Sequence, residues 1–155
     1  MKKLTLLLIF TFSINLLSAQ NKEEEAIKKV CIAESQAFAD LDYEAYASYH
    51  AQTADEQLVL NSPNGTYNVK VGWDSISTTV KKWILAGKKD NVKKVFGDNF
   101  TIVIHGDMAF AAYDGRVQNA DGKIVRMREN RTLLYMNAQW KILAVQVFID
   151  YTSGK

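Results

Sequence analysis

Cysteine, proline and histidine are scarce in this chain, and each shortage excludes a class of protein. A single cysteine cannot form a disulfide framework within the chain. Cys31 shares helical spacing with Ile27 and Phe38, which predicts a small buried apolar residue, with a reactive thiol as the alternative. The two histidines, His50 and His105, stand far apart in the chain, so no metal site is expected.

Linkers, repeats and cofactor motifs are also missing. Pro63 is the only proline, and no Gly/Ser-rich linker interrupts the chain. The sequence contains no Gly-rich phosphate loop, no Cys-x-x-Cys pair and no Gly-x-Ser-x-Gly elbow, so no cofactor is expected. Residues 20–155 have a normal length for one domain with its own core.

The first 19 residues have the pattern of a cleavable signal peptide. Lys2 and Lys3 precede an apolar run over residues 4–17, and Ser18-Ala19 supplies small residues at the cleavage point. The run is shorter than the roughly 20 residues that a membrane-spanning helix needs. These features predict an exported protein, periplasmic or extracellular, with no membrane contact after cleavage.

Charge gives little support for a nucleic-acid partner. The chain has 19 Lys+Arg and 17 Asp+Glu, and loss of Lys2 and Lys3 leaves 17 of each. The densest basic stretch, residues 81–94, is typical of a solvated helix end and loop. No nucleic-acid binding is therefore expected.

Hydrophobic periodicity predicts helices in the front half of the chain and strands in the back half, which is the pattern of an α+β domain. The predicted helices cover residues 23–39, 43–50 and 73 or 74 to 86. Turn signals such as Gly97-Asp98 and Asp121-Gly122 separate the strands. The predicted strands cover residues 58–60, 67–71, 99–105, 108–118, 123–135 and 139–151.

Several short segments occur in a recognisable order. They are Asp42-Tyr43-Glu44-Ala45-Tyr46, Ser62-Pro63-Asn64-Gly65, Gly72 with Ile76, Arg131-Thr132 and Trp140-Lys141-Ile142. With the predicted elements, this order resembles the nuclear transport factor 2-like superfamily, and within it the SnoaL-like members. The resemblance implies a cone in which three N-terminal helices pack on a curved antiparallel sheet around a pocket. It also implies a homodimer formed through the outer face of the sheet.

The resemblance and strand alternation together predict which residues line the pocket. In the last strand, Trp140, Ile142, Ala144, Gln146 and Phe148 share one face, which looks into the cone in relatives. Gln146 occupies a position where many relatives have a histidine. The candidate ligand-binding residues are Tyr46, Tyr49, Ser62, Trp83, Arg131, Gln146 and Phe148.

Three of the polar candidates could also serve catalysis, namely Tyr46, His50 and Arg131. His50 is predicted to be a partly exposed group near a helix end. Arg131 either pairs with a carboxylate such as Glu34 or Glu129, or binds an anionic ligand. Ion pairing is the favoured interpretation, because an arginine is seldom buried alone.

Ketosteroid isomerases are similar in fold, but their catalytic groups are not present here. The resemblance puts Ser62 in place of their general-base aspartate. Glu34 falls near their oxyanion-binding tyrosine, and Arg131 near their protonated aspartate. Isomerisation needs a base and a neutral acid, so these changes argue against that chemistry.

Three functions remain open. The first is a binding domain for a small apolar or weakly acidic molecule, the second a SnoaL-like lyase, isomerase or hydrolase, and the third a dimeric interaction domain with a vestigial pocket. A two-fold dimer is predicted through an apolar stripe of the last strand, Leu143, Val145, Val147 and Ile149.

Overall fold

The computed structural model describes residues 2–87 and 92–153, with side chains from residue 20 onward. Within these residues three helices and six strands are present, which confirms the α+β class. The helices are α1 Lys2–Ala39, α2 Tyr43–Ser48 and α3 Trp73–Ala86. The strands are β1 Gln57–Asn61, β2 Tyr67–Val71, β3 Val92–His105, β4 Met108–Asn119, β5 Ile124–Met136 and β6 Gln139–Asp150.

Helix α1 begins well before the predicted residue 23, because its backbone continues through residues 2–19. The side chains of the predicted signal peptide lie outside the described residues, as do Lys88 and Lys89 of the basic stretch. Among the helices that the structure describes, none combines the length and hydrophobicity that crossing a bilayer requires.

All six strands form one sheet in the order β2-β1-β6-β5-β4-β3. Strands β3 to β6 form the predicted antiparallel meander, in which each strand pairs with the next. The β1–β2 hairpin joins this meander through a parallel pairing of β1 with β6. Helix α1 packs mainly against β3 and also contacts β6.

Strand β3 begins at Val92, seven positions before the predicted residue 99. The predicted turn at Gly97-Asp98 is wrong, because both residues lie within the strand, beside an irregularity in pairing between Asp98 and Thr101. A Cβ atom at Gly97 would lie 2.5 Å from Cδ1 of Ile32. The glycine therefore permits close approach of α1 to the strand.

The predicted alternation of β6 is wrong beyond Ile142. Thr132 pairs with Ala144 and Leu133 pairs with Ile142, so Leu143 is an extra residue in a β-bulge. A bulge moves every later side chain to the opposite face of the sheet. Val145 is consequently buried in the core.

This reversal changes both predicted faces of β6. Trp140 and Ile142 are buried on the inner face, as predicted. Val145 and Val147 also pack in the core and cannot form the predicted outer stripe. Ala144, Gln146 and Phe148 face outward, because they alternate with these two valines.

The core lies between the helices and the inner face of the sheet. Ile27 and Cys31 of α1 are fully buried, which confirms the structural interpretation of the cysteine. Burial raises the pKa of the Cys31 thiol to about 12, so this thiol is held in its unreactive protonated form. Ile76 and Val80 supply the buried face of α3. The largest fully buried side chain is Tyr113 of β4.

Candidate functional site

Arg131 lies on the inner face of β5 and is 2% exposed. Its Nη2 atom donates to Oε2 of Glu129 at 2.7 Å and to Oε2 of Glu34 at 3.2 Å. Ser35 Oγ lies 3.2 Å from the same nitrogen. The ion pair predicted for Arg131 is thus present with both carboxylates, and it links α1 to the sheet.

His50 continues this network on the other side of Glu34. Its Nε2 atom lies 3.3 Å from Oε1 of Glu34, and its Nδ1 atom lies 2.5 Å from Oε1 of Glu56. The other Glu56 oxygen accepts a hydrogen bond from the Gln52 backbone at 2.8 Å. We call these five buried residues the charged cluster: Glu34, His50, Glu56, Glu129 and Arg131.

The expected partial exposure of His50 is wrong, because this side chain is 3% exposed. Helix α2 ends at Ser48, and residues 49–51 then pair with β6. The Ile142 amide donates to Tyr49 O, and the Ala51 amide donates to Ile142 O, each at 2.8 Å. This pairing carries His50 into the interior.

Within the charged cluster, the neighbouring groups favour the charged forms of Glu34 and His50. Burial raises the pKa of Glu34, but Arg131 and His50 outweigh that effect and lower it to about 2. Burial lowers the pKa of His50, but hydrogen bonds to Glu34 and Glu56 outweigh it, and the net shift is upward. Each ring nitrogen of His50 faces a carboxylate oxygen, an arrangement that favours the imidazolium, which donates from both nitrogens.

Two buried tyrosines border the charged cluster and are held neutral. Burial raises the pKa of Tyr46 and that of Tyr113 above the ordinary value for a phenol. Tyr113 donates to Oε2 of Glu129 at 3.2 Å. Neither phenol has a pKa suited to proton transfer near neutral pH.

A row of aromatic rings connects the charged cluster to the surface. The Tyr46 and His50 rings are tilted by 37° with centroids 4.3 Å apart, and the Phe38 ring centroid lies 6.0 Å from that of Tyr46. Trp83 of α3 meets Phe38 edge-on at 6.4 Å. The structure therefore brings four of the candidate residues together, Tyr46, His50, Trp83 and Arg131, since His50 and Arg131 share Glu34. We call Trp83, Phe38 and Tyr46 the aromatic row.

The other candidate pocket residues lie elsewhere. Tyr49 is partly buried against the core. Ser62 follows β1 at the hairpin, where its amide donates to Thr66 O. Gln146 accepts a hydrogen bond from Asn130 Nδ2 at 3.2 Å, and the Phe148 ring lies 6.5 Å from Tyr67. The prediction that Gln146 and Phe148 line the inner face is wrong, because of the bulge at Leu143.

Glu56 is the cluster member that the sequence did not indicate. It stands alone between a loop and β1, with no helical or strand alternation to mark it as buried. Glu34 recurs at helical spacing with Ile27 and Cys31 on α1, so helical periodicity predicts that its side chain faces the core. Among the described residues, no group of three or more His, Cys, Asp or Glu side chains is arranged to hold a metal ion.

Two open clefts lie away from the charged cluster. One, of about 760 Å³, runs between α1 and β3. The other, of about 570 Å³, is bordered by Arg116, Arg126 and Arg128 and includes Phe148. Within that second cleft, Asp98 binds Arg116 and Asp114 binds Arg128.

Comparison with known proteins identifies the fold. No protein-family model matches the chain, and no curated protein matches its sequence. A nuclear transport factor 2-like protein of unknown function from Pseudomonas putida matches with a TM-score of 0.63 and 15% identity, covering 90% of this chain and 93% of that one. One from Shewanella oneidensis gives 0.60 and 16%, covering 81% and 98%.

A third solved structure, a Nostoc punctiforme protein of unknown function described as having a cystatin-like fold, gives a TM-score of 0.66. It is 14% identical, and the match covers 84% of this chain and 92% of that one. Identities this low establish architecture alone. The chain thus has the nuclear transport factor 2-like fold.

Replacing Arg131 with methionine should destabilise the protein strongly, because Glu34 and Glu129 would be left buried without their cation. The expected loss is about 3–5 kcal/mol in the free energy of unfolding, measured by denaturant titration. Arg128→Met is the matched control on the same strand, since Arg128 and its partner Asp114 are 45% and 48% exposed. That control should leave stability nearly unchanged. Equal effects of the two substitutions would contradict a structural role for Arg131.

His50 should make stability depend on pH. Its pKa is raised in the folded state, so its stabilising effect is complete below the unfolded pKa and is lost as pH rises through the folded pKa. Melting temperatures should therefore fall on the alkaline side. His50→Gln should remove this dependence, while the control His105→Gln, at an exposed position, should retain it. The same alkaline fall in His50→Gln as in the wild type would show that another group is responsible.

Proposed function

We propose that this protein is an exported, SnoaL-like binding domain that holds a small, largely apolar molecule between its helices and the inner face of its sheet. The observation that carries the proposal is the internally paired charged cluster beside the aromatic row. Both nitrogens of His50 are engaged by carboxylates, and Arg131 Nη2 is shared by Glu34 and Glu129. Such groups can fix the shape of a site without moving protons.

The alternative of a lyase, isomerase or hydrolase would need a group poised to exchange a proton. Among the candidates, Tyr46 is held neutral and His50 is held charged. Arg131 remains a cation, because neighbouring anionic groups raise its pKa despite burial. Catalysis by Tyr46, His50 or Arg131 is therefore the second candidate.

Formal charge favours an apolar ligand over a weakly acidic one. The charged cluster contains three acidic side chains, Glu34, Glu56 and Glu129, and two basic ones, Arg131 and His50. An excess of acidic groups in a buried region disfavours an anionic ligand. Arg131 Nε and Thr53 Oγ1 are buried without a hydrogen-bond partner among the described residues. A neutral hydrogen-bond acceptor on the ligand would suit them.

The aromatic row provides the apolar wall and the entrance. Phe38 is 37% exposed, whereas Tyr46 at the inner end of the row is 3% exposed. The exposure of the rings therefore decreases from the solvent side of the aromatic row to the charged cluster. Aromatic walls with few polar groups are typical of sites for small apolar molecules.

The binding proposal predicts a small molecule that co-purifies with the protein from its source and is visible by native mass spectrometry. Phe38→Asp should abolish that adduct, since the charge is placed at the entrance. Leu85→Asp is the matched control, because Leu85 is also near a helix C-terminus but is 85% exposed. An adduct retained by Phe38→Asp, or the absence of any adduct from source material, would contradict the proposed site.

A two-fold dimer through the outer face of the sheet remains part of the proposal, with a different set of residues. Several large apolar side chains are exposed on this face, beside its charged pairs. Those between 43% and 61% exposed include Tyr67, Val69, Val71, Val103, Met108 and Phe110. The interaction-domain alternative would rest on this face alone.

If the protein is a dimer, light scattering at micromolar concentration should give the mass of two chains. Phe110→Glu should convert it to a monomer without unfolding it, because Phe110 is 43% exposed on the outer face. Leu85→Glu should leave the dimer intact. A wild-type monomer would contradict this interface.

Export also remains a proposal, supported by the pattern of residues 1–19. Cleavage near Gln20 would leave Glu23 in place, whose carboxylate accepts a hydrogen bond from Trp140 Nε1 at 2.6 Å. The domain therefore keeps its contact between the start of mature α1 and β6. N-terminal sequencing of secreted or periplasmic material would refute cleavage if it returned Met1.

A further inference from the structure

The open groove between α1 and β3 lies along one edge of the sheet. Strand β3 is the last strand in the described sheet, so one side of its backbone pairs with β4 and the other faces the groove. The groove has a volume of about 760 Å³ and is separate from the charged cluster. An edge strand beside a helix is a geometry in which a protein can accept an extended peptide as an additional strand.

The backbone at this edge can already bind an acceptor. The Val95 amide donates to Oε1 of Gln36 at 2.9 Å, so this N–H points away from β4 and toward α1. A side-chain carbonyl thus stands where the backbone carbonyl of an added strand would stand. Protection of an exposed edge by a side chain is a known way to prevent unwanted pairing.

The groove also has an apolar floor. Ile32 and Ala33 line it from α1, and Val95 and Phe100 line it from β3. Alternate side chains of an extended peptide point to the same side. Every second residue of a bound strand could therefore rest on this floor, while the residues between them face solvent and the rim.

The rim of the groove is basic. Lys28, Lys29 and Lys94 line it, and Lys28 pairs with Glu25 at 2.6 Å. The structure gives Lys29 and Lys94 no ion pair with any described carboxylate, and both are exposed. The lining residue Asp98 is bound to Arg116. The Lys94 ammonium lies over the Phe96 ring, 4.9 Å from its centroid, and keeps its charge. Two cations above an apolar floor complement a ligand that combines acidic and apolar residues.

We propose that this groove binds an extended peptide of alternating acidic and apolar residues, which adds to β3 as a seventh strand of the sheet. Backbone hydrogen bonds at the β3 edge supply the pairing. Ile32, Ala33, Val95 and Phe100 receive the apolar side chains, and Lys29 and Lys94 attract the acidic ones. The peptide displaces Gln36 from the Val95 amide.

Fluorescence anisotropy with a labelled peptide of alternating glutamate and valine tests the proposal on the whole protein. A peptide of about ten residues is long enough to cover a strand. The same sequence with N-methylated valines keeps the charge but loses backbone donors, and it should bind at least about tenfold more weakly. Lys29→Glu should weaken binding about fivefold. The control Lys82→Glu should not, because Lys82 is exposed on α3, which packs against α2, β1 and β2.

Each alternative occupant gives a distinct result that would overturn the proposal. Equal binding of the N-methylated peptide would show attraction by charge alone. If an oligothymidylate displaced the labelled peptide as well as the unlabelled peptide does, the groove would be a general surface for polyanions. A doubled mass in light scattering that Lys29→Glu abolishes would show that a second copy of the chain occupies the groove. No binding by the unmodified peptide would leave the groove without this function.

Discussion

Burial of Arg131 is the constraint on which the interior arrangement depends. A guanidinium on the inner face of β5 requires counter-charges, which come from Glu129 on its own strand and Glu34 on α1. Glu34 has a second oxygen, and His50 approaches it; the other nitrogen of His50 is then met by Glu56. One buried charge thus determines which side chains are buried with it on β5, on α1 and in the loops flanking α2 and β1.

The same constraint reaches the backbone. A Cβ atom at Gly115 would overlap Oε1 of Glu129, so β4 needs a glycine opposite this carboxylate. Buried ion pairs contribute little net stability over apolar packing, but removing one partner is costly, so they tolerate few alternative arrangements. The charged cluster therefore restricts how α1 docks on the sheet. Apolar contacts in the core, such as those of Ile27 and Leu133, supply the stabilisation that the ion pairs do not.

Helical periodicity, strand alternation and turn residues are sufficient to predict most of the helices and strands. They fail at positions where contacts between distant segments determine which way a side chain points. Helical periodicity places Ile27 and Cys31 in the core, and turn residues separate the last four strands. Nothing in the apolar run around Leu143 marks a bulge, so alternation assigns the later residues of β6 to the wrong face. The burial of His50 follows from backbone pairing of residues 49–51 with β6, which no local pattern indicates. Glu56 could not be found before the position of His50 was known.

Each face of the sheet carries an exception to the usual distribution of polarity. Glu129 and Arg131 occupy the inner face, whereas Tyr67, Val103 and Phe110 are exposed on the outer face. The inner charges are satisfied by the protein's own side chains, so they need no partner to be stable. The outer apolar groups have no such compensation, and water contact costs roughly 25 cal/mol for each Å² of apolar surface. An interface that covered these outer groups would remove that cost, whereas the paired inner charges offer a partner no comparable gain.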